Sequence, residues 1–365
     1  MQIVSIQVLR AVAALLVAFG HAQAFIATPM ERLGQTFERN YLLPWGAGVD
    51  LFFVISGFIM VYSSERLYGQ PGGARTFLFR RCARIIPLYW TLTLLAVVIG
   101  LLRHKPGLDP MSVLMSFLFV PWHAAGEGVP RPVYELGWTL NYEMFFYALF
   151  ALTLGFAREV SALIVVAMLA MLTLAGWIIQ PVGAQAFIWT QPIILEFALG
   201  VLLALAVRRN VTLPRPVRLM LIGTGVAALW FDLLQSHTQP YAWVTPDDFW
   251  RVLGWGVPAA LILAGATLKA KMPAKTPLAP TRALAHLGDA SYALYLCHPI
   301  VMSVFSALWY ALGLNNRLSA WTGVGLSMIL SAAAAVFVYR FFEAPVTRAL
   351  QNYAPGMKTA RVPAE

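Results

Sequence analysis

Ten stretches of this chain stay apolar for long enough to cross a bilayer, and no other feature restricts its fold as much. They fall near residues 3–26, 46–63, 84–102, 136–156, 161–179, 187–207, 217–235, 250–267, 290–311 and 320–341. A hydrocarbon core about 30 Å thick needs about 20 apolar residues in helical form. In lipid, a segment must also satisfy its own backbone hydrogen bonds. The expected fold is therefore all-α, a polytopic membrane protein of about ten transmembrane helices. A further run, 111–121, has only 11 residues and ends in Pro121. It is too short to span and reads as one extra re-entrant or interfacial helix. Composition agrees: 12% of residues are charged and mean hydropathy is +0.70, against about a quarter charged in soluble domains.

The net charge of +10 does not point to nucleic acid, because the basic residues sit in short segments between apolar runs. Read as topology, with the N-terminus inside, the inner segments hold nineteen basic residues and the outer ones, Arg251 and Arg317 among them, hold seven. Counting 111–121 as a crossing would send RRNVTLPRPVR and KAKMPAK outward, against that rule. Both termini are therefore expected in the cytosol. Residues 1–345 read as a single transmembrane domain, and 346–365 as a cytosolic tail. The first 24 residues imitate a signal peptide, with Ala22-Gln23-Ala24 as the mock cleavage site. The n-region is barely basic, however, and the later spans need this first one. Cys82 and Cys297 lie in unrelated segments and imply no disulfide framework, and no histidines have zinc spacing.

Ionisable residues inside spans are costly and mark cavities or partners. In LRAVAALLVAFGHA, Arg10 and His21 stand eleven residues apart, which puts them on one helix face about 16 Å apart along the axis. The plain alternatives are snorkelling for Arg10 and an interhelical hydrogen bond for His21. Histidine is also the side chain best placed for proton transfer near neutral pH. In FLFRRCARIIPLYW, Arg80, Arg81 and Arg84 are either topogenic charges or a phosphate site, with Arg81 and Arg84 one turn apart. Asp50, at the end of the second span, either pairs with a basic group or orients His21. The small pair Ser56-Gly57 suits close helix packing. In LGWTLNYEMFFYALF, Trp138 and Tyr142 suit a membrane interface, while Asn141 and Glu143 suit a hydroxylated substrate. Glu196, Asp289, His298 and Glu343 are further ionisable groups near or within spans. His104, His123 and His237 read as surface residues, and His286 as a helix-start residue.

Several motifs together make the chain resemble the membrane-bound acyltransferases of acyltransferase family 3. They are the Arg10–His21 pair, GVDLFFVISGF, the R-x-x-R of Arg81 and Arg84, GWTLNYEMFFY, LEFALG, SYALYLCHP and RFFEAP, in that order. Gly137 departs from the family, which often has Ser there. The short form is closer to the exopolysaccharide acyltransferases than to the two-domain O-antigen enzymes. The resemblance implies a bacterial inner-membrane enzyme that O-acylates glycans. It implies cytosolic acyl-CoA, usually acetyl-CoA, as co-substrate, with no permanently bound cofactor or metal. The acceptor would be a glycan or lipid-linked saccharide hydroxyl on the outer face. In that frame Arg10, Arg80, Arg81 and Arg84 hold coenzyme A phosphates. His21 is general base or acyl carrier, and Asp50 or Glu143 orients it or binds the acceptor. Trp138, Asn141, Tyr142, Tyr292 and His298 are candidate acceptor contacts. A non-catalytic flippase of a lipid-linked glycan, or a scaffold of a synthesis complex, also explains many spans, but neither needs the Arg10–His21 alignment. The acceptor is expected at outer loops 27–45, 103–135 and 236–249, with Trp122, Tyr241 and Trp243 as stacking candidates. Homo-oligomerisation is left open.

Overall fold

The computed structural model describes residues 4–40, 44–104, 108–123, 129–231, 249–269, 278–316 and 318–353. All secondary structure among them is helical. The principal helices are α1 (Val4–Arg32), α2 (Ala47–Ser63), α3 (Gly73–Leu102), α4 (Pro110–Phe117), α5 (Trp138–Thr153), α6 (Arg158–Ile179) and α7 (Ala184–Trp189). They continue with α8 (Leu195–Arg208), α9 (Arg215–Phe231), α10 (Phe249–Arg251), α11 (Val257–Thr267), α12 (Ala279–Asp289), α13 (Ser291–Ala311), α14 (Ala320–Val338) and α15 (Ala344–Gln351). π turns at Val252–Gly256 and Tyr339–Glu343 join α10 to α11 and α14 to α15.

Each apolar run predicted to span contains a helix among the described residues, and length and apolarity together qualify six: Val4–Arg32, Gly73–Leu102, Arg158–Ile179, Phe249–Thr267, Ser291–Ala311 and Ala320–Gln351. The protein is a multi-pass membrane protein on that ground. The other four runs form the shorter helices α2, α5, α8 and α9, of 17, 16, 14 and 17 residues. The run read as one span over 187–207 is broken. Gln191 is extended at ψ 144° ahead of Pro192, which starts a 3₁₀ turn into α8. A residue before proline is pushed out of the helical region, and that physics ends α7. The short run 111–121 yields α4, of 8 residues. Asp109 caps it by accepting from Met111 N and Ser112 N, with Pro110 at the first helical position. Hydrogen bonds from the Ser112 hydroxyl and amide hold the Asp109 carboxyl below its usual range. At the far end, Ala344–Gln351 is helical, so the start of the expected tail continues the last helix, while residues 354–365 lie outside the described set.

Helix packing in lipid has little hydrophobic drive and depends on close contact. α2 and α8 show this most fully. A Cβ on Gly57 would lie 2.1 Å from Phe197 O, and one on Gly200 would lie 2.0 Å from Val54 O. The two backbones therefore touch, as the Ser56-Gly57 pair predicted for its glycine. Beside that contact, Phe197 stacks between Phe53 of α2 (4.6 Å) and Phe146 of α5 (4.4 Å). Such pairs add about 0.5–1.5 kcal/mol each beyond simple burial. The result is a post of three helices, α2, α5 and α8, against which α1, α3 and α13 complete a chamber.

Candidate active site

A cavity enclosing about 780 Å³ of atom-free space, open mouth included, lies among α1, α2, α3, α5 and α13. One part of its wall is basic. Arg10 comes from α1, and Arg81 and Arg84 come from one turn of α3. Arg10 is only 8% exposed, with Nη1 donating to Gln7 Oε1 at 3.0 Å. Its charge is felt by Arg84, Glu343, Asp289 and Glu143. Arg81 donates from Nη2 to Ser63 Oγ at 2.7 Å, and its guanidinium lies over the rings of Phe77 and Tyr147. Three guanidinium groups on one cavity are the kind of donor set that can hold a polyanion. Arg80, expected beside them, does not line the cavity, because one residue along a helix turns a side chain by about 100°. Burial pushes the Asp289 carboxyl above its usual range, against the pull of Arg10 and the neighbouring His286.

The rest of the wall mixes apolar side chains, mostly from α2, with polar ones that are uncharged except for Glu143. Ser56 Oγ donates to Glu143 Oε1 at 3.0 Å, and the Tyr147 hydroxyl donates to the same oxygen. Tyr292 Oη donates to Ile85 O at 2.8 Å, which ties α13 to α3. At the other end Thr139 Oγ1 meets Tyr295 Oη at 3.1 Å. Thr139, Glu143 and Tyr147 recur every four residues, so α5 presents them on one face. Trp138, Asn141 and Tyr142 occupy its opposite face. There they line a second pocket of about 350 Å³ with Arg131, Glu135 and Ile188. Asn141 and Tyr142 are buried. Phe53 touches Trp138 and Tyr142 and also lines the first cavity, so it partitions the two spaces.

His21 does not line the cavity. Its Nδ1 bonds Val17 O at 3.0 Å, and its ring meets His298 at 4.9 Å and Trp45 at 6.2 Å. His298, fully buried, contacts Tyr295 at 6.3 Å. The shared helix face of Arg10 and His21 thus leads from the basic wall toward His21, while Tyr295 and His298 of α13 form the link between cavity and imidazole. Sequence spacing did not signal the His21–His298 contact, because it joins α1 to α13.

Asp50 resolves to the first of its two expected fates. It is fully buried and pairs with Arg251, Nε to Oδ1 at 2.9 Å and Nη2 to Oδ2 at 2.9 Å. Arg251, counted from sequence among the outer basic residues, is 8% exposed and lies over the Trp255 ring. Its place at the edge of an apolar run was the signal available. Glu196 is buried nearby, against Gly256. Glu343 is buried where a π turn carries it toward Arg84 and Arg10. π turns recur at functional sites. Gly137 packs against Tyr89, whose hydroxyl would lie 2.4 Å from an added Cβ. His237, Tyr241 and Trp243 lie outside the described residues.

The profile of a family described as "Acyltransferase domain" matches residues 3–340. The exopolysaccharide production protein ExoZ of Rhizobium meliloti is 32% identical over 304 residues, covering 83% of this chain and 89% of that protein. The acyltransferase MdmB of Streptomyces mycarofaciens is 27% identical over 350 residues, covering 87% and 84%. The O-acetyltransferase OatA of Staphylococcus aureus is 26% identical over 329 residues, covering 82% of this chain and 52% of that longer protein. No solved structure matches the chain.

Proposed function

The chain belongs to the membrane-bound acyltransferases of acyltransferase family 3, and from that premise we propose that it O-acylates a glycan. The donor is acyl-coenzyme A, most simply acetyl-CoA, entering from the cytosol. The acceptor is a hydroxyl on an exopolysaccharide or its lipid-linked precursor beyond a bacterial inner membrane, with both chain termini in the cytosol. The observation that carries this reading is the cavity itself, which joins Arg10, Arg81 and Arg84 to a neutral polar end at Thr139 and Tyr295. Its shape suits a polyanionic head and a thin uncharged arm that delivers a thioester toward His21.

The guanidinium groups of Arg10, Arg81 and Arg84 hold phosphates. His21 acts on the acceptor hydroxyl as general base or receives the acyl group itself. The Ser56 and Tyr147 hydroxyls fix the Glu143 carboxylate beside the donor arm. Trp138, Asn141 and Tyr142 bind the acceptor in the second pocket, and Tyr292 shapes the wall between α3 and α13. We assign Asp50 to holding α2 against α10 through Arg251. Residues 1–345 form the transmembrane domain. The test is transfer of radiolabelled acetyl to surface glycan in cells carrying wild type, His21→Ala or Arg84→Ala at equal abundance. Wild type transfers label, and each variant loses most of it. Full transfer by His21→Ala refutes its assignment. Glycan export that needs the protein without label transfer supports a flippase instead.

A further inference from the structure

We propose that His298 is the general base of the acceptor step, with His21 as the acyl carrier, the two imidazoles dividing the chemistry between them. The proposal rests on the acyltransferase reading above and goes beyond it by giving each role its own ring. His21 Nδ1 lies 3.0 Å from Val17 O, and His298 Nδ1 lies 2.9 Å from Leu294 O. A carbonyl oxygen only accepts, so each Nδ1 carries the hydrogen and each neutral ring keeps its lone pair on Nε2. The same local device, a bond to the carbonyl four residues back, sets both tautomers. The rings touch at 4.9 Å with their planes at 56°. Two lone pairs cannot satisfy each other. His298 Nε2 is buried without a hydrogen-bond partner among the described residues. A buried acceptor left open in this way calls for a donor that arrives during the reaction.

Accessibility divides the labour. His21 is half-buried, while His298 is fully buried. An acyl carbon with its substituents needs the more open ring, and a proton reaches the closed one. In the first step the His21 Nε2 lone pair attacks the thioester carbonyl. The carbon–sulfur bond breaks, and coenzyme A leaves as thiolate. The acylated ring keeps its Nδ1 hydrogen, bonded to Val17 O, and so carries a positive charge that activates the acyl group. In the second step the acceptor oxygen attacks that carbonyl, and its proton passes to His298 Nε2. The bond from acyl carbon to His21 Nε2 breaks, and the electron pair returns to the ring. His298 then releases its proton to water while the thiolate takes one up, so ester and thiol are the net products. The Tyr295 ring, in contact with His298 and lining the cavity, marks the boundary between the donor arm and this pair.

The test is labelling of purified protein with radiolabelled acetyl-CoA, quenched rapidly in denaturing detergent at neutral pH, followed by a chase with deacylated surface glycan from the source cells. His298→Asn is the variant of choice, since its amide N–H still reaches the Leu294 carbonyl while Nε2 is deleted. Wild type is expected to label once per chain and discharge on the chase. His298→Asn is expected to label normally and discharge about 100-fold more slowly, the usual scale for losing a general base. His21→Ala is expected never to label. Discharge of His298→Asn at the wild-type rate overturns the proposal. So does slow turnover without label on the protein, which a purely structural role would give. If His298→Asn does not fold, His298→Gln fills the same space without a base, and the same outcomes apply. Wild type alone still decides the carrier half, because absence of protein-bound label during active transfer overturns it. If wild type transfers nothing to glycan, the acyltransferase reading fails first, which separates the two failures.

Discussion

Replacing Asp50 with Asn keeps the side chain's shape and removes its charge. Asp50 is fully buried and grips Arg251 through two parallel 2.9 Å bonds. Charges about 4 Å apart at an effective dielectric near 20 attract by about 4 kcal/mol. Removing one partner of a buried pair costs about 3–5 kcal/mol, because the remaining charge stays desolvated. At about 2 °C per kcal/mol for a long chain, Asp50→Asn should lower the thermal unfolding midpoint in detergent by about 6–10 °C. Asp50→Asn combined with Arg251→Gln should recover most of that loss, with a coupling energy above about 2 kcal/mol. Acyl transfer per folded molecule in the double variant should stay within about twofold of wild type. A single variant within about 2 °C of wild type, or a double variant showing two separate losses, refutes the structural reasoning. A folded double variant without transfer returns Asp50 to the reaction.

Other consequences are equally open to measurement. Gly57→Ala and Gly200→Ala each force α2 and α8 apart and should cost about 1–3 kcal/mol, read as lost membrane abundance and a lower unfolding midpoint. Arg84→Ala should raise KM for acetyl-CoA about tenfold or more while leaving the acceptor KM unchanged. Trp138→Leu should do the reverse, weakening acceptor use without touching coenzyme A protection against thermal unfolding. Glu65→Gln breaks ion pairs to Arg158 and Arg208 at 2.9 and 3.3 Å, yet all three groups are partly exposed, so stability should change by less than about 1 kcal/mol.

The helices themselves were legible because apolar runs are local, and so was the shared face of Arg81 and Arg84. Their boundaries were less so. Gln191 and Pro192 break a run whose hydropathy is continuous, since hydropathy does not register a backbone restriction. The ion pair of Arg251 was not legible because a topology rule counts charges without seeing partners, and its partner lies 201 residues away. The GWTLNYEMFFY segment was legible as a site but not as two sites. Its polar residues alternate between faces of α5, and only the packing of Phe53 shows that the faces meet different spaces. Arg10 and His21 were aligned correctly along α1, but the ring that completes His21 belongs to α13, beyond the reach of any spacing argument.

α2 is anchored on three sides: by glycine contacts to α8, by the Asp50–Arg251 pair, and by Ser56 to Glu143 of α5. A wall fixed in this way works as a ruler. Val49, Phe52 and Phe53 line the cavity from this thrice-anchored helix, opposite the walls supplied by α3 and α13. On the acyl-donor reading proposed above, a chamber for longer acyl groups is expected to come from trimming those three α2 side chains rather than from loosening the helices around it.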